Sequence, residues 1–370
     1  TALEAAVGAR PWRTDLALGL ARLHTVAGRP EDAVRVLGDA ERRGARIGLR
    51  MTFADEALRL ATATDTAVAL HLFADLAGDA ARTAPERVSA ARRLWIAANA
   101  GGREVEWAPR LARALHDFPP ARWGPDLLLG VVRALHRGGE AETARALLAA
   151  DPSLARRLPE LSLERALAMA RAGDLAGALA LTDSLVPSLP SAQFTRAELL
   201  FFSGALDSAQ AQYTRVAAQP TDDRAADALD RLYLLEEAPD SPLRARLGRL
   251  AWLRWRGARA EATALADTLW RAQSPRGTYA AHCALELADL RREGGDLRGA
   301  LVPLMVVCDS LPGDRLAPLA RQRAGDAWLA LGDSRRAVEQ YEECLVRYPR
   351  AWNSAEVRRR LDRLRREAIR

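Results

Sequence analysis

The sequence predicts an all-α chain in which about nine helical hairpins stack into a solenoid and a C-terminal helix caps it. Three regularities carry this reading. Glycines suited to end one helix and open the next recur at Gly28, Gly102, Gly139, Gly173, Gly204, Gly257, Gly295 and Gly332. Thr64 fills one further slot, and the spacings are then 36, 38, 37, 34, 31, 53, 38 and 37 residues. Five residues after each turn stands Ala33, Ala69, Trp107, Ala144, Ala178, Ala209, Ala262, Ala300 or Ala337. Pro119, Pro190, Pro312 and Pro349 close four of the units about seventeen places after the turn.

Each mark has a physical reason. Glycine takes the left-handed conformation that ends a helix, a small residue early in the next helix lets the two approach, and proline stops the second one. A hairpin of this kind cannot bury its apolar face alone, so successive hairpins stack. From the N-terminus, the units at Gly28, Thr64 and Gly102 keep the plan in outline. At Gly173 it sharpens: Gly173-Asp174-Leu175-Ala176-Gly177-Ala178 is matched by the runs starting at Gly295 and Gly332. Within the Gly173 unit, Ala178, Leu179, Leu181, Thr182 and Leu185 recur at helical spacing.

The 53-residue step holds residues 221–242, whose centre, 224–237, reads as one additional helix between Pro220, Pro239 and Pro242. Ser241 and Pro242 suit the cap and first position of the next helix. Four regions follow: an N-terminal array of about six hairpins over 1–220, the insert at 221–242, a three-hairpin array over 243–353, and an Arg-rich helix over 354–370. The insert is the candidate place for a change of superhelix direction. In the last region Val357, Leu361, Leu364 and Ala368 share a helix face among arginines, which fits a capping helix. A basic helix touching anionic lipid or nucleic acid is the other reading of that stretch.

Composition narrows the chemistry. The chain has 370 residues, 49% of them hydrophobic and 28% charged, which makes it globular rather than disordered. All 54 basic residues are arginine, so a P-loop lysine, a kinase ATP lysine and every Schiff-base lysine are excluded. The formal charge is +6, but seven arginines against three acids place a net +4 in residues 356–370. What remains is an interspersed surface rather than a nucleic-acid footprint, and no nucleic-acid partner is expected.

Cys283, Cys308 and Cys344 show no metal-ligand spacing. They read as small apolar residues, with a Cys283–Cys308 bridge left open. No apolar run approaches the roughly 20 residues of a membrane span. The chain starts at Thr1, which fits a removed leader or a fragment.

No HExxH, GxSxG, GxGxxG or P-loop pattern occurs. His24, His71, His116, His136 and His282 are scattered. No catalytic residue, metal site or cofactor is expected, and the chain reads as a non-enzyme.

The turn glycine, the alanine five later, an aromatic nine later and a closing proline resemble the tetratricopeptide repeat. Gly325, Trp328, Gly332, Asp333, Ala337, Tyr341 and Pro349 fall on that family's signature slots. Tyr213 and Phe73 fill its aromatic slot in two other units, where Leu37, Leu111, Leu148 and Leu304 stand elsewhere. The resemblance implies a right-handed superhelix whose first helices line a concave groove. Carrying the family's groove slots over selects Arg22, Arg92, Arg133, His136, Arg137, Arg171, Phe194, Glu198, Phe201, Phe202, Arg254, Trp255, Asp289 and Arg292. Arginine beside exposed aromatics suits partner recognition, and Arg133, His136 and Arg137 would suit an acidic extended peptide. Phe201, Phe202 and Trp255 have a second reading, as packing between units. The Lys/Asn/Arg clamp of some family members is excluded, because there is no lysine and only Asn99 in a groove slot.

The implied function is a scaffold or adaptor that binds a protein or peptide partner. The stretch with Tyr348-Pro349, Ala355 and Arg358 to Arg360 further resembles envelope proteins of this family in Gram-negative bacteria, which favours an extracytoplasmic address over a cytoplasmic one. Two alternatives stay open. One is a structural subunit that self-associates end to end through the regions of Trp12 and Trp352. The other is a sensor region of a larger cytoplasmic regulator.

Overall fold

The computed structural model describes residues 2–10, 12–150, 158–219, 223–236, 242–275 and 277–368. Its contacts divide the chain into two units, Thr1–Arg171 with Ala180–Leu189, and Ala172–Leu179 with Pro190–Arg370. The dividing line passes through one helix. Among the described residues there are twenty-one α-helices and no strand.

The first unit opens with α1 (Ala2–Ala9), followed by α2 (Thr14–Val26), α3 (Pro30–Arg42), α4 (Leu49–Leu60) and α5 (Ala63–Gly78). Next come α6 (Ala84–Ala100), α7 (Glu104–Ala114), α8 (Pro125–Arg137), α9 (Ala141–Ala150) and α10 (Pro159–Ala172). α11 (Leu175–Leu185) is the shared helix. The second unit continues with α12 (Ala192–Ser203), α13 (Leu206–Ala217), α14 (Ala225–Glu236), α15 (Pro242–Trp255) and α16 (Arg259–Gln273). It ends with α17 (Ala280–Glu293), α18 (Leu297–Ser310), α19 (Ala317–Ala330), α20 (Ser334–Arg347) and α21 (Ser354–Ala368). Among the described residues, paired neighbours run from α2–α3 to α8–α9 in the first unit, and α12–α13 with α15–α16 to α19–α20 in the second. One extra helix, α14, stands between α13 and α15.

The turns form as the sequence demands. All eight glycines named for the turns have positive φ, for example +85° at Gly295 and +83° at Gly332. The neighbouring aspartate then starts the next helix: Asp296 and Asp333 accept from the backbone N–H groups of Gly299 and Arg336 at 2.8 and 3.0 Å. Such a cap contributes about 1 kcal/mol. Thr64 is the exception. It lies inside α5, and the left-handed residue is Ala61 at φ 55°. Thr62 caps that helix, accepting from the backbone N–H of Asp65 at 3.1 Å. The residues five after each turn, Trp107 included, are fully buried.

The first unit's core gathers Leu70, Phe73, Leu94, Trp107, Trp123 and Val131. The second has one cluster around Leu285, Leu304 and Cys308, and another that seats Tyr341 against Val357 and Leu361. Each fully buried side chain of this size stabilises by about 1.5–3 kcal/mol. The ring of Tyr341 lies over Gly325, where any added Cβ would collide with it. All three cysteines are free and buried, so the Cys283–Cys308 bridge is not made. Burial pushes both of those thiols up to about 12. No helix among the described residues is long and apolar enough to cross a membrane.

The extra helix has a counterpart at the end of the array. Glu198 on α12 accepts from the Tyr213 hydroxyl on α13 at 2.5 Å and from two guanidinium nitrogens of Arg231 on α14 at 2.8 and 3.0 Å. Asp326 on α19 accepts from the Tyr341 hydroxyl on α20 at 2.6 Å and pairs with Arg360 on α21. In both sets the tyrosine stands 15 residues after the acid, and the arginine 33 or 34 after it. Burial drives both hydroxyls well above the usual tyrosine range, so they stay protonated donors. α14 also packs on α13 as α21 packs on α20. It therefore stands where a capping helix stands, directly after the α12–α13 hairpin. Ser241, read as the cap of the next helix, lies outside the described residues.

The first unit is held by a buried guanidinium. Arg50 on α4 donates to Glu41 of α3 at 2.8 Å and to Asp75 of α5 and Asp79 at 2.5 Å each. Burial opposes ionisation of Glu41 and Asp79, but hydrogen bonds, chiefly from Arg50, outweigh it and hold both below their ordinary values of 4.5 and 3.8. A depressed carboxyl contributes stability that is complete above its ordinary value and is lost as the pH falls through the lower folded value. The urea midpoint is thus expected to drop steeply below about pH 4. In Glu41→Gln that drop should be shallower, and an unchanged slope in this variant would refute the assignment.

Candidate partner-binding cleft

The predicted groove residues separate by unit. In the first, Arg92 is exposed and lines a hollow of about 580 Å³ with Phe118 and Arg122. Arg22 pairs with Glu56 at 2.9 Å. Arg133 and His136 come together on Glu164 of α10, each with a nitrogen 2.9 Å from its carboxylate. Burial pushes Glu164 up, yet His136 and Arg133 more than offset it and keep the carboxyl below its ordinary value. Arg137 pairs with Glu104 at 3.1 Å. The cluster read as a receptor for an acidic peptide is therefore matched by the chain's own acids. Arg171 is half-buried, and burial lowers its pKa although Glu164 acts against this.

In the second unit the first helices of successive hairpins do line a cleft. Its larger chamber, about 830 Å³, is bounded by Phe194, Glu198, Arg231, His282, Leu319 and Trp352, with Arg224 just before α14 and Asp227 and Asp230 on it along one side. A second chamber of about 380 Å³ adjoins it, with Phe201, Leu250, Arg254, Trp255 and Glu286 in its lining. Arg231, Leu234 and His282 belong to both chambers.

Phe201 and Phe202 are buried, at 0% and 5% exposure, so packing is their main role. The cause lies in how closely α15 approaches α12: Gly248 leaves no room for a Cβ beside the carbonyl of Phe201. Phe202 in turn stacks on Trp255, ring centroids 5.6 Å apart. Trp255 itself stays partly exposed and reaches the smaller chamber.

Arg254 and Asp289 meet in one network across α15, α17 and α19. Arg254 reaches Glu286 at 2.7 Å, Glu293 at 2.9 Å and Asp289 at 3.9 Å. Arg323 binds Asp289 at 2.5 Å, and Arg292 stands 3.8 Å from it. Burial raises the Asp289 carboxyl despite these cations. For Glu286 burial also acts upward, but His282 and Arg254 prevail and hold it low. Burial lowers the pKa of His282, although Glu286 acts against this.

Among the lining groups that sequence reasoning missed are Arg231, His282, Glu286 and Trp352. Glu286 lies one turn after His282 on α17, a signal available in the sequence. Arg231 could have been found by comparing its distance from Glu198 with that of Arg360 from Asp326. Glu198 pairs with Arg231 and Glu286 with Arg254, no group of three or more metal-ligating side chains converges among the described residues, and the walls mix guanidinium, indole and leucine.

The hairpins are tetratricopeptide-like. That fold rests on the chain's own turns, buried alanines and Gly325–Tyr341 contact. No family model matches the sequence, and no curated protein does. Solved structures similar to it include yeast Tom70, 13% identical, covering 99% of this chain and 85% of that one at a TM-score of 0.31. A tetratricopeptide repeat protein from Parabacteroides merdae is 17% identical, covering 75% and 98% at 0.31. Human IFIT1, solved as a dimer with PPP-AAAA, is 12% identical, covering 96% and 84% at 0.31.

Proposed function

We propose that the chain is a non-catalytic scaffold that binds a protein or peptide partner in the cleft of its second unit. The observation that carries this is the run of two adjoining chambers along α12, α15, α17 and α19, with partly exposed Trp255 and exposed Trp352 at their edges. Aromatic and guanidinium groups give large contact area with a polar handle, and both walls stand on helices fixed by the core. The bacterial-envelope role and the extracytoplasmic address belong to the same proposal. They rest on the resemblance around Tyr348-Pro349, and cell fractionation tests them.

Photo-crosslinking in the native cells tests the binding reading. A benzophenone side chain placed at Leu319 in the cleft should capture a distinct partner. The same group at Val302, exposed on α18, should not. Adducts only with further copies of the chain, or equal yields at both positions, would overturn the proposal. The first of these outcomes would favour the self-assembling subunit.

A further inference from the structure

We infer that the segment lying in this cleft leaves it with an acidic stretch held against Trp352, Arg347 and Arg350. This deepens the scaffold reading and rests on it. The loop after α18 and the loop after α20 lie side by side and enclose a hollow of about 520 Å³. Its lining includes Pro312, Asp314, Arg315, Arg347, Arg350 and Trp352. Arg315 and Trp352 also line the large chamber, so the hollow continues the cleft.

The hollow is preorganised. The Tyr348 hydroxyl donates to the Pro312 carbonyl at 2.8 Å, tying the two loops together. Buried Asn353 donates to the Pro318 carbonyl at 3.1 Å and to Gln322 at 2.9 Å, which anchors the residue next to Trp352. A site fixed in this way loses little freedom when a ligand arrives.

Two of its three arginines, Arg347 and Arg350, have no partner from within the described residues. Arg347 and Arg350 are exposed, and neither makes an ion pair or side-chain hydrogen bond among the described residues. The lining acid, Asp314, is engaged in accepting from the backbone N–H of Leu316 at 2.8 Å. Arg315 stacks on Tyr233 at 3.4 Å. In the cleft proper, by contrast, Arg231 is satisfied by Glu198 and Arg254 by Glu286. Trp352 is 74% exposed at the junction of the two spaces.

Free guanidiniums beside an exposed indole fit a carboxylate-bearing peptide with an apolar side chain to cover the ring. The cationic area is short. Glu339, Glu342 and Glu343 stand on the adjoining α20, where a long phosphate backbone would meet them. An acidic peptide is favoured over nucleic acid on that ground.

The probe is a fluorescein-labelled peptide rich in glutamate and phenylalanine, followed by anisotropy. Arg347→Glu with Arg350→Glu should weaken its binding at least about tenfold. Trp352→Ala should weaken it severalfold. Arg358→Glu with Arg363→Glu, the same charge change on exposed positions of α21, should leave it within about twofold. Circular dichroism confirms that each variant keeps its helices. Equal loss in the α21 variant, no binding by the unaltered chain, or binding only of single-stranded RNA or anionic vesicles would overturn the inference. The cleft reading is judged separately. Undiminished capture from Leu319 in the Arg347→Glu, Arg350→Glu chain would leave the cleft standing and refute only its acidic exit.

Discussion

An Arg50→Met chain is expected to lose about 3–5 kcal/mol of stability in the first unit, read as a lower urea midpoint and faster hydrogen exchange in α3, α4 and α5. The size follows from burial. The Arg50 guanidinium is almost fully enclosed and serves three carboxylates, of which Glu41 is equally enclosed. Removing it leaves Glu41 and Asp79 sharing Arg82 as their remaining cation, and leaves Asp75 without its ion pair. Methionine fills much of the volume, so the loss measures electrostatics more than a cavity. Arg50→Lys should rescue little, because one ammonium cannot reproduce the planar fork that reaches three acids. A shift below about 1 kcal/mol in Arg50→Met would mean that solvent already screens the network.

The second large effect is expected at Gly248. Alanine there would place its Cβ against the backbone carbonyl of Phe201, which cannot rotate away as a side chain can. α15 must then move off α12, at a cost of about 1–3 kcal/mol for overpacking. Gly8→Ala, in α1 with nothing near its added Cβ, should instead stabilise by roughly 0.5–1 kcal/mol. Thermal unfolding monitored by circular dichroism reads both. If Gly248→Ala melts no lower than the unaltered chain, the close approach of α15 to α12 is not needed for stability.

The hairpins were legible because their marks are local. A glycine at a left-handed position and an alanine at a helix crossing are each demanded by backbone geometry within a few residues, and all eight glycines behave so. The unit without a glycine was legible only roughly. Thr64 was placed at a turn that Ala61 makes, since an alanine forced into that conformation leaves no mark in composition.

The groove was harder. Slot counting places a residue on a face but does not reveal what lies opposite. Glu164 stands 31 residues after Arg133 and 28 after His136, and it turns an apparent cationic receptor into an internal pairing. Phe201 was drawn inward by Gly248, which no pattern had singled out. Arg254, Trp255 and Asp289 did reach the cleft or its network, because their helices keep the spacing of the repeat.

The carboxylate, tyrosine and arginine at Glu198, Tyr213 and Arg231 bear on how such a chain can change in length. A copied hairpin inserted ahead of α14 would offer the same acid and tyrosine to the same arginine, so the closure could be remade one step further along. A copy placed after α14 would have to displace the closure or pack elsewhere, as α15 does on α12. Duplication and loss of hairpins are therefore uncoupled on the two sides of α14. The helix acts as punctuation within the chain, and the number of hairpins before it and after it can drift as two separate quantities.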